Sequence, residues 1–538
     1  MTLSLDTLGS MSIEINSEET RALAHQTATQ LRHESPRDAL DYVSNLRAND
    51  KWRWAWLELK GVIGIEAGFD LGDVAEVSRG IALLNSAFPG ERHPTTEYNI
   101  ANGENARWEL VLRQEGVVAA IEREGKHLHA ARRIWEQIGR DPAVEPDLRV
   151  QALVNAGNSY DNLGRGHEGI RLYDQALEID PGFAMAHGNR GKALVLTLPF
   201  AFEHTHAILA EAVAALDAAL DSPDEVIRIG GPSALDSFRQ ARDGLPDEVP
   251  EHRHEPEDWA DPYLSWARQH ELFLHVSPAC LTEDSPLTDP LVFERLVGSF
   301  EDDSLERSND LFDGLNAIKR DFTTARYLTW LALNSGSTVG QQADGLDHRV
   351  RLVDTLNYGR WGLRTGIAIQ SFAATTNLLD KVATYIHAYF ETGRKANEIF
   401  FRDFWQAPNS KTMDPKLATA ITPPTWNPGL SALCDLANDL RDETPLAAFV
   451  SLRHAATHRL LVAHEFDAPE SSGWLERVDW PAFEAASLDQ LQLARAAIIY
   501  LVRAVDTEEH TKLEAYGGED ALVPMQTVDV DADLTQFD

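Results

Sequence analysis

The stretch Val150 to Pro181 reads VQALVNAGNSYDNLGRGHEGIRLYDQALEIDP, and its spacing decides the fold. Apolar and small residues fall at helical intervals in two runs, with Leu153, Ala156 and Gly157 in the first and Tyr173 and Ala176 in the second. Small residues let two helices approach closely, Tyr160 and Tyr173 fill the gaps, and Pro181 ends the second helix. Gly191 follows Gly157 by 34 positions and Asn189 follows Asn155 by 34, so the next unit starts at Ala184. A degenerate earlier unit is expected from Tyr98 to Ala101, with a second helix from Ala130 to Gly139, a close at Pro142 and an insertion between. Helical pairs are expected to fill residues 18 to 88, with Trp52, Trp54 and Trp56 lining a core or a groove. Helical periodicity recurs over Val62–Ser86, Asp354–Phe390 and Leu488–Val505, while alternating apolar and polar residues are scarce. The expectation is an all-α protein.

The positions just named resemble the tetratricopeptide repeat, a helix–turn–helix unit of 34 residues. Gly169 stands where that family usually has alanine. The resemblance implies a TPR-like helical-repeat solenoid over residues 18–221, with a protein or peptide partner on its concave face. Asn155, Asn158 and Asn189 are the candidates for holding that partner, with Asn99 at a related position. Local capping and solvation are the competing explanation for these amides.

Composition narrows the function classes. The chain has 538 residues, and 85 Asp and Glu against 48 Lys and Arg give a formal net charge of −37. Such a surface repels nucleic acid at long range, so a nucleic-acid role requires a local exception. Cys280 and Cys434 are the only cysteines, which excludes a disulfide scaffold. The N-terminus lacks the pattern of a signal peptide, and no apolar run reaches the ~20 residues of a membrane helix. A cytoplasmic protein without membrane contact is expected. Residues 1–17 are read as a flexible start, 222–257 as a connector rich in proline, glycine and acids, 258–514 as a second helical domain, and 515–538 as an acidic, disordered tail.

The second domain contains a local exception. Asp442-Glu443-Thr444-Pro445 reads as a helix start, and the helix is expected to run from Leu446 to Glu465. It carries Arg453, His454, His458, Arg459 and His464. From Val350 to Glu465 there are 12 Lys and Arg against 11 acids, so this part escapes the global acidity. His454 and His458 are face neighbours at i and i+4, whereas Arg453 and His458 lie ~140° apart on an ideal helix.

The segment from Arg453 to His458 resembles the R-x4-6-H motif of HEPN domains, a superfamily with many metal-independent endoribonucleases. The helix around Thr375–Ala383 and the closing helix from Leu491 to Glu509 resemble one branch of it. The resemblance implies a C-terminal HEPN-like helical bundle that cleaves RNA, tRNA or mRNA for example, by 2′-hydroxyl attack. It assigns Arg453 and His458 to catalysis, with His454 as their polar neighbour, and Arg459 is taken as an RNA contact. It also implies a homodimer in which two motifs line one cleft. Neither a metal nor a cofactor is expected. Fusions of such a domain to a repeat array resemble bacterial stress or antiphage-defence effectors, with the repeats as sensor or restraint. Three other readings stand beside this one. Arg453 pairs with an acid such as Asp380 for structure alone, while Lys381 and Asp380 either line the cleft or form a structural pair across helices. The two histidines bind zinc, although Ala455 occupies the place of the HExxH glutamate. Or the chain is a non-catalytic adaptor whose bundle dimerises or binds RNA without cleaving it.

Overall fold

The computed structural model of the chain describes residues 14–87, 93–201, 204–247, 249, 259–276, 288–293, 295–297, 304–334, 350–353, 355–392, 394–395, 398–407, 410, 412–441, 447–516 and 522–524. Among them are nineteen α-helices and six short strands, so the all-α expectation holds. The chain divides into two compact bodies. The first comprises Met1–Asn162, Glu168–Ala193 and Ala214–Gly244, and the second Leu163–His167, Leu194–Val213 and Leu245–Asp538.

The first part of the chain is a succession of helices: α1 (Glu18–Glu34), α2 (Pro36–Asn45), α3 (Arg53–Leu71), α4 (Val74–Ala87), α5 (Pro94–Glu115), α6 (Val117–Arg140), α7 (Pro146–Asp161), α8 (Gly166–Ile179), α9 (Ala184–Val195), α10 (Thr205–Leu220), α11 (Pro223–Gly230) and α12 (Pro232–Asp243). From α1 to α7 each helix packs on the next, and α1 also meets α3, α3 meets α5 and α5 meets α7. That is the contact pattern of stacked helical pairs. The local signals are clear. Ser17 caps α1 in a capping box with Thr20, and Gly72 closes α3 with φ of 71°. Trp52, Trp54 and Trp56 are half-buried against the first core cluster, as packing residues rather than a site. A Cβ on Gly157 would sit 2.5 Å from the Tyr173 ring, so the glycine is what lets α7 and α8 approach.

Several boundaries differ from the sequence reading. The earlier unit has no insertion, because α5 and α6 are simply long. The expected connector opens with α11 and α12, whose prolines occupy the first turn, where a missing N–H costs nothing. The tail at 515–538 and the start at 1–17 lie outside the described residues, apart from Glu14–Ser17, the end of the last helix and Leu522–Pro524.

The second body is built on α13 (Pro262–Gln269), α14 (Ser304–Leu333), α15 (Leu363–Phe390), α16 (Pro415–Ala420), α17 (Pro428–Asp439), α18 (Ala447–His458) and α19 (Trp480–Tyr516). The long helices α14, α15 and α19 pack on one another, α17 lies along α19, and α18 lies on α15. Gly429 lets α17 meet the backbone of α19, since a Cβ there would fall 2.4 Å from the Ala504 nitrogen. A buried polar knot braces α14. Arg326 holds Asp289 through two bonds of 2.8 and 2.9 Å, and it also donates to the Tyr263 hydroxyl and the Leu272 carbonyl. Burial pushes the Asp289 carboxyl up, but the Arg326 charge and hydrogen bonds outweigh it and hold the group below its ordinary value.

The helix expected from Leu446 to Glu465 ends at His458. Its proposed start at 442–446 lies outside the described residues. After the single residue Arg459 the chain becomes a strand, β1 (Leu460–His464), paired in parallel with β2 (Leu475–Asp479). A short apolar run such as Leu460–Ala463 suits a buried helix and a strand equally, and here the partner strand decides. Residues 357–360 flank β1 on its other side: Arg360 N donates to Ala463 O, Glu465 N donates to Tyr358 O, and the His464 ring meets Asn357 O at 2.7 Å. His464 is therefore a buried structural residue, remote in role from the exposed histidines of α18.

Candidate active site

The orientation of α18 follows from its apolar residues. Ala455 is buried, and Leu452 and Ala456 pack on the cluster around Phe372, Ala463, Trp480 and Phe483. That face is fixed to the bundle. The remaining face carries Arg453, His454 and His458 towards a cavity of about 250 Å³, which all three residues line. The helical-wheel separation of Arg453 and His458 is overcome within one chain, because the long arginine side chain reaches round to the same cavity.

Arg453 is held in place. Its Nη2 donates to Asp380 Oδ2 on α15, and the other Asp380 oxygen accepts the Phe401 N–H at 2.9 Å. Both members of the ion pair keep about a quarter of their side chains exposed, at 25 and 23 %. The ordinary structural pairing is thus formed, and it also aims the guanidinium along the cavity. Lys381, the neighbour of Asp380, points elsewhere and pairs with Asp321.

The two imidazoles stand side by side with ring centres 6.1 Å apart. Both are exposed, and neither has a hydrogen-bond partner among the described residues. Partial desolvation, then the positive charge of Arg453 and the neighbours His458 and Arg459, holds the His454 imidazole below its ordinary value. His454 is therefore neutral at pH 7 and able to accept a proton. Arg459 is exposed at the end of α18 and does not line the cavity.

The far walls are residues that sequence reasoning missed. Leu379 and Leu440 are buried and apolar, Phe400 is an exposed aromatic at 53 %, and Gln490 comes from α19 at 2 % exposure. They lie between 13 and 74 positions from the motif's ends, on four other segments, so no local spacing signals them.

The repeat candidates also converge. Asn155, Asn158 and Asn189 line a separate cavity of about 460 Å³ in the first body. Asn155 Nδ2 donates to the Tyr98 hydroxyl at 2.9 Å, and Asn189 Nδ2 donates to Asn158 Oδ1 at 2.8 Å. These amides are partly committed to one another, as the capping and solvation reading expects, and they still border open space.

No helix among the described residues is long and apolar enough to cross a membrane. No curated protein matches the chain. No family match accompanies the repeats, whose helices alone are established. Residues 303–508, which run from the start of α14 into α19 and include the cavity, match the family model described as LA2681-like HEPN. The second body of this chain therefore contains a HEPN-family domain, a class whose members are commonly ribonucleases, RNA-associated and dimeric.

Proposed function

We propose that the chain is a metal-independent endoribonuclease of HEPN type whose first body is a TPR-like sensor or interaction module. The observation that carries this reading is the convergence of Arg453, His454 and His458 on one cavity, with a neutral imidazole beside an anchored guanidinium. RNA supplies its own nucleophile. A base removes the 2′-hydroxyl proton, a cation steadies the negative charge on phosphorus, and an acid protonates the departing 5′-oxygen. His454 suits the base role because its lowered pKa leaves it unprotonated and free to accept, His458 suits the acid, and Arg453 holds non-bridging phosphate oxygens. Arg459 at the helix end contacts the adjoining backbone. The products carry a 2′,3′-cyclic phosphate and a 5′-hydroxyl.

In this reading the partners are RNA, a protein or peptide held near Asn155, Asn158 and Asn189, and a second copy of the chain that brings a second motif to the cleft. The setting is the cytoplasm, and the role is that of a bacterial stress or antiphage-defence effector. The Arg453–Asp380 pair favours one rival, an adaptor that binds without cleaving. Incubating wild type and His458→Ala with total RNA in EDTA separates them. Cleavage by wild type alone, with cyclic phosphate ends, supports the nuclease. Equal cleavage by both proteins refutes the assignment.

A further inference from the structure

Beyond the residues that would do the chemistry, the cavity has a feature that chemistry alone does not explain. Gln490 is almost wholly buried, yet its Nε2 has no hydrogen-bond partner among the described residues. A buried donor without an acceptor destabilises the fold, and such groups persist where something else satisfies them. Gln490 lines the same cavity as Arg453 and the two histidines. The neighbouring walls combine apolar Leu379, Leu440 and Phe401 with the charged Arg402 and Asp403, and Phe400 stands exposed among the lining residues. Thr376 lines the cavity too, and its hydroxyl donates to Phe372 O at 2.8 Å, so its oxygen is left to accept.

A flat apolar group with a carbonyl on its edge fits these walls. It would stack on Phe400, shed water against the leucines, and present its carbonyl to Gln490 and a donor to Thr376. Nucleobases have this chemistry, and enzymes that act on nucleic acids take bases out of the stack into such pockets. We propose that the cavity is a base-recognition subsite for the nucleotide beside the cleaved phosphate, and that Gln490 selects bases with a carbonyl group. Uracil, guanine and cytosine have one. Adenine does not, and it leaves the amide unsatisfied. This inference rests on the ribonuclease reading for its substrate, while the pocket can also be tested without cleavage.

The test uses the full chain and four DNA oligonucleotides, each carrying a single ribonucleotide (U, G, C or A) as its one cleavable position. Wild type is expected to cut the A substrate about tenfold more slowly than the others, the loss set by one unmade buried hydrogen bond. Gln490→Leu is expected to erase that difference and to melt at a higher temperature than wild type, because it removes a buried unpaired donor. Phe400→Ala is expected to raise KM for all four substrates by loss of stacking. Absence of discrimination in wild type, or discrimination that survives Gln490→Leu, overturns the proposal. If no oligonucleotide is cut, the ribonuclease reading fails, and binding of uridine and adenosine 3′-monophosphates, followed by calorimetry, decides the pocket. A preference for the uridine nucleotide that Gln490→Leu abolishes upholds it. Equal binding of the two nucleotides, or a preference unchanged by the substitution, overturns it.

Discussion

Replacing Asp380 with Asn separates a structural ion pair from a device that serves catalysis. The amide oxygen can still accept the Phe401 N–H, so the loop carrying Phe400 and Phe401 stays attached to α15. What is lost is the charge that holds Arg453. Both partners are about a quarter exposed, so the pair lies near the upper end of surface ion pairs and its loss should cost about 1 kcal/mol of stability. The catalytic effect should be larger. A guanidinium released from its anchor samples rotamers away from the cavity, and a misplacement of roughly 1 Å can cost about 10²-fold in rate. Removing a carboxylate also leaves the site one unit more positive, which favours a polyanion. Asp380→Asn is therefore expected to lower kcat by about 10- to 100-fold while KM stays level or falls. Steady-state cleavage of a fluorescent RNA, with urea unfolding in parallel, reads both quantities. Unchanged kcat alongside the small stability loss would refute the reasoning and leave the pair purely structural.

Two further outcomes follow from named groups. Because His454 is held below its ordinary value, the acidic limb of the pH dependence of kcat/KM should lie below about 6.5, and Arg459→Ala should move it upward by removing a positive neighbour. A limb unmoved by that substitution would exclude His454 as the base. Asp289→Asn leaves the buried Arg326 charge without its counter-ion and should destabilise the second body by about 3–5 kcal/mol, at the lower end because Tyr263 and Leu272 still accept from it. The stability from the depressed Asp289 carboxyl is fully present above about pH 3.9 and is lost as pH falls through its lower folded value. Urea midpoints at pH 7 and pH 3 should thus converge for wild type and Asp289→Asn at the acidic end.

Much of the fold was legible because helices announce themselves locally. The 34-residue recurrence of Gly157 and Gly191 marks positions where a second helix comes too close for a side chain, Tyr173 against the first and Leu216 against the second. The motif from Arg453 to His458 was legible for a similar reason, since one helix carries it. The proline at 232 misled, because the residue that breaks a helix interior also starts one. The strand at Leu460–His464 was hidden because its partner lies beyond an intervening loop, and pairing is a property of two segments rather than one. The far side of the cavity was illegible altogether. Phe400 and Gln490 acquire meaning only when the 398–407 segment, tied to α15 through Asp380, and α19 come beside α18, and no spacing in the chain encodes that meeting.

The passage from α18 to β1 sets a rule for what changes in length this domain can accept. Only Arg459 separates His458 from a strand held on one side by β2 and on the other by residues 357–360. One added residue at this joint would invert the strand, turning Val462 and His464 over to the faces now held by their neighbours. Otherwise it would rotate the helix by ~100° and carry both imidazoles off the cavity. The joint thus ties the phase of the helix to the pleat of the strand. Insertions and deletions should be tolerated in the 465–474 connection between the paired strands and rejected at position 459.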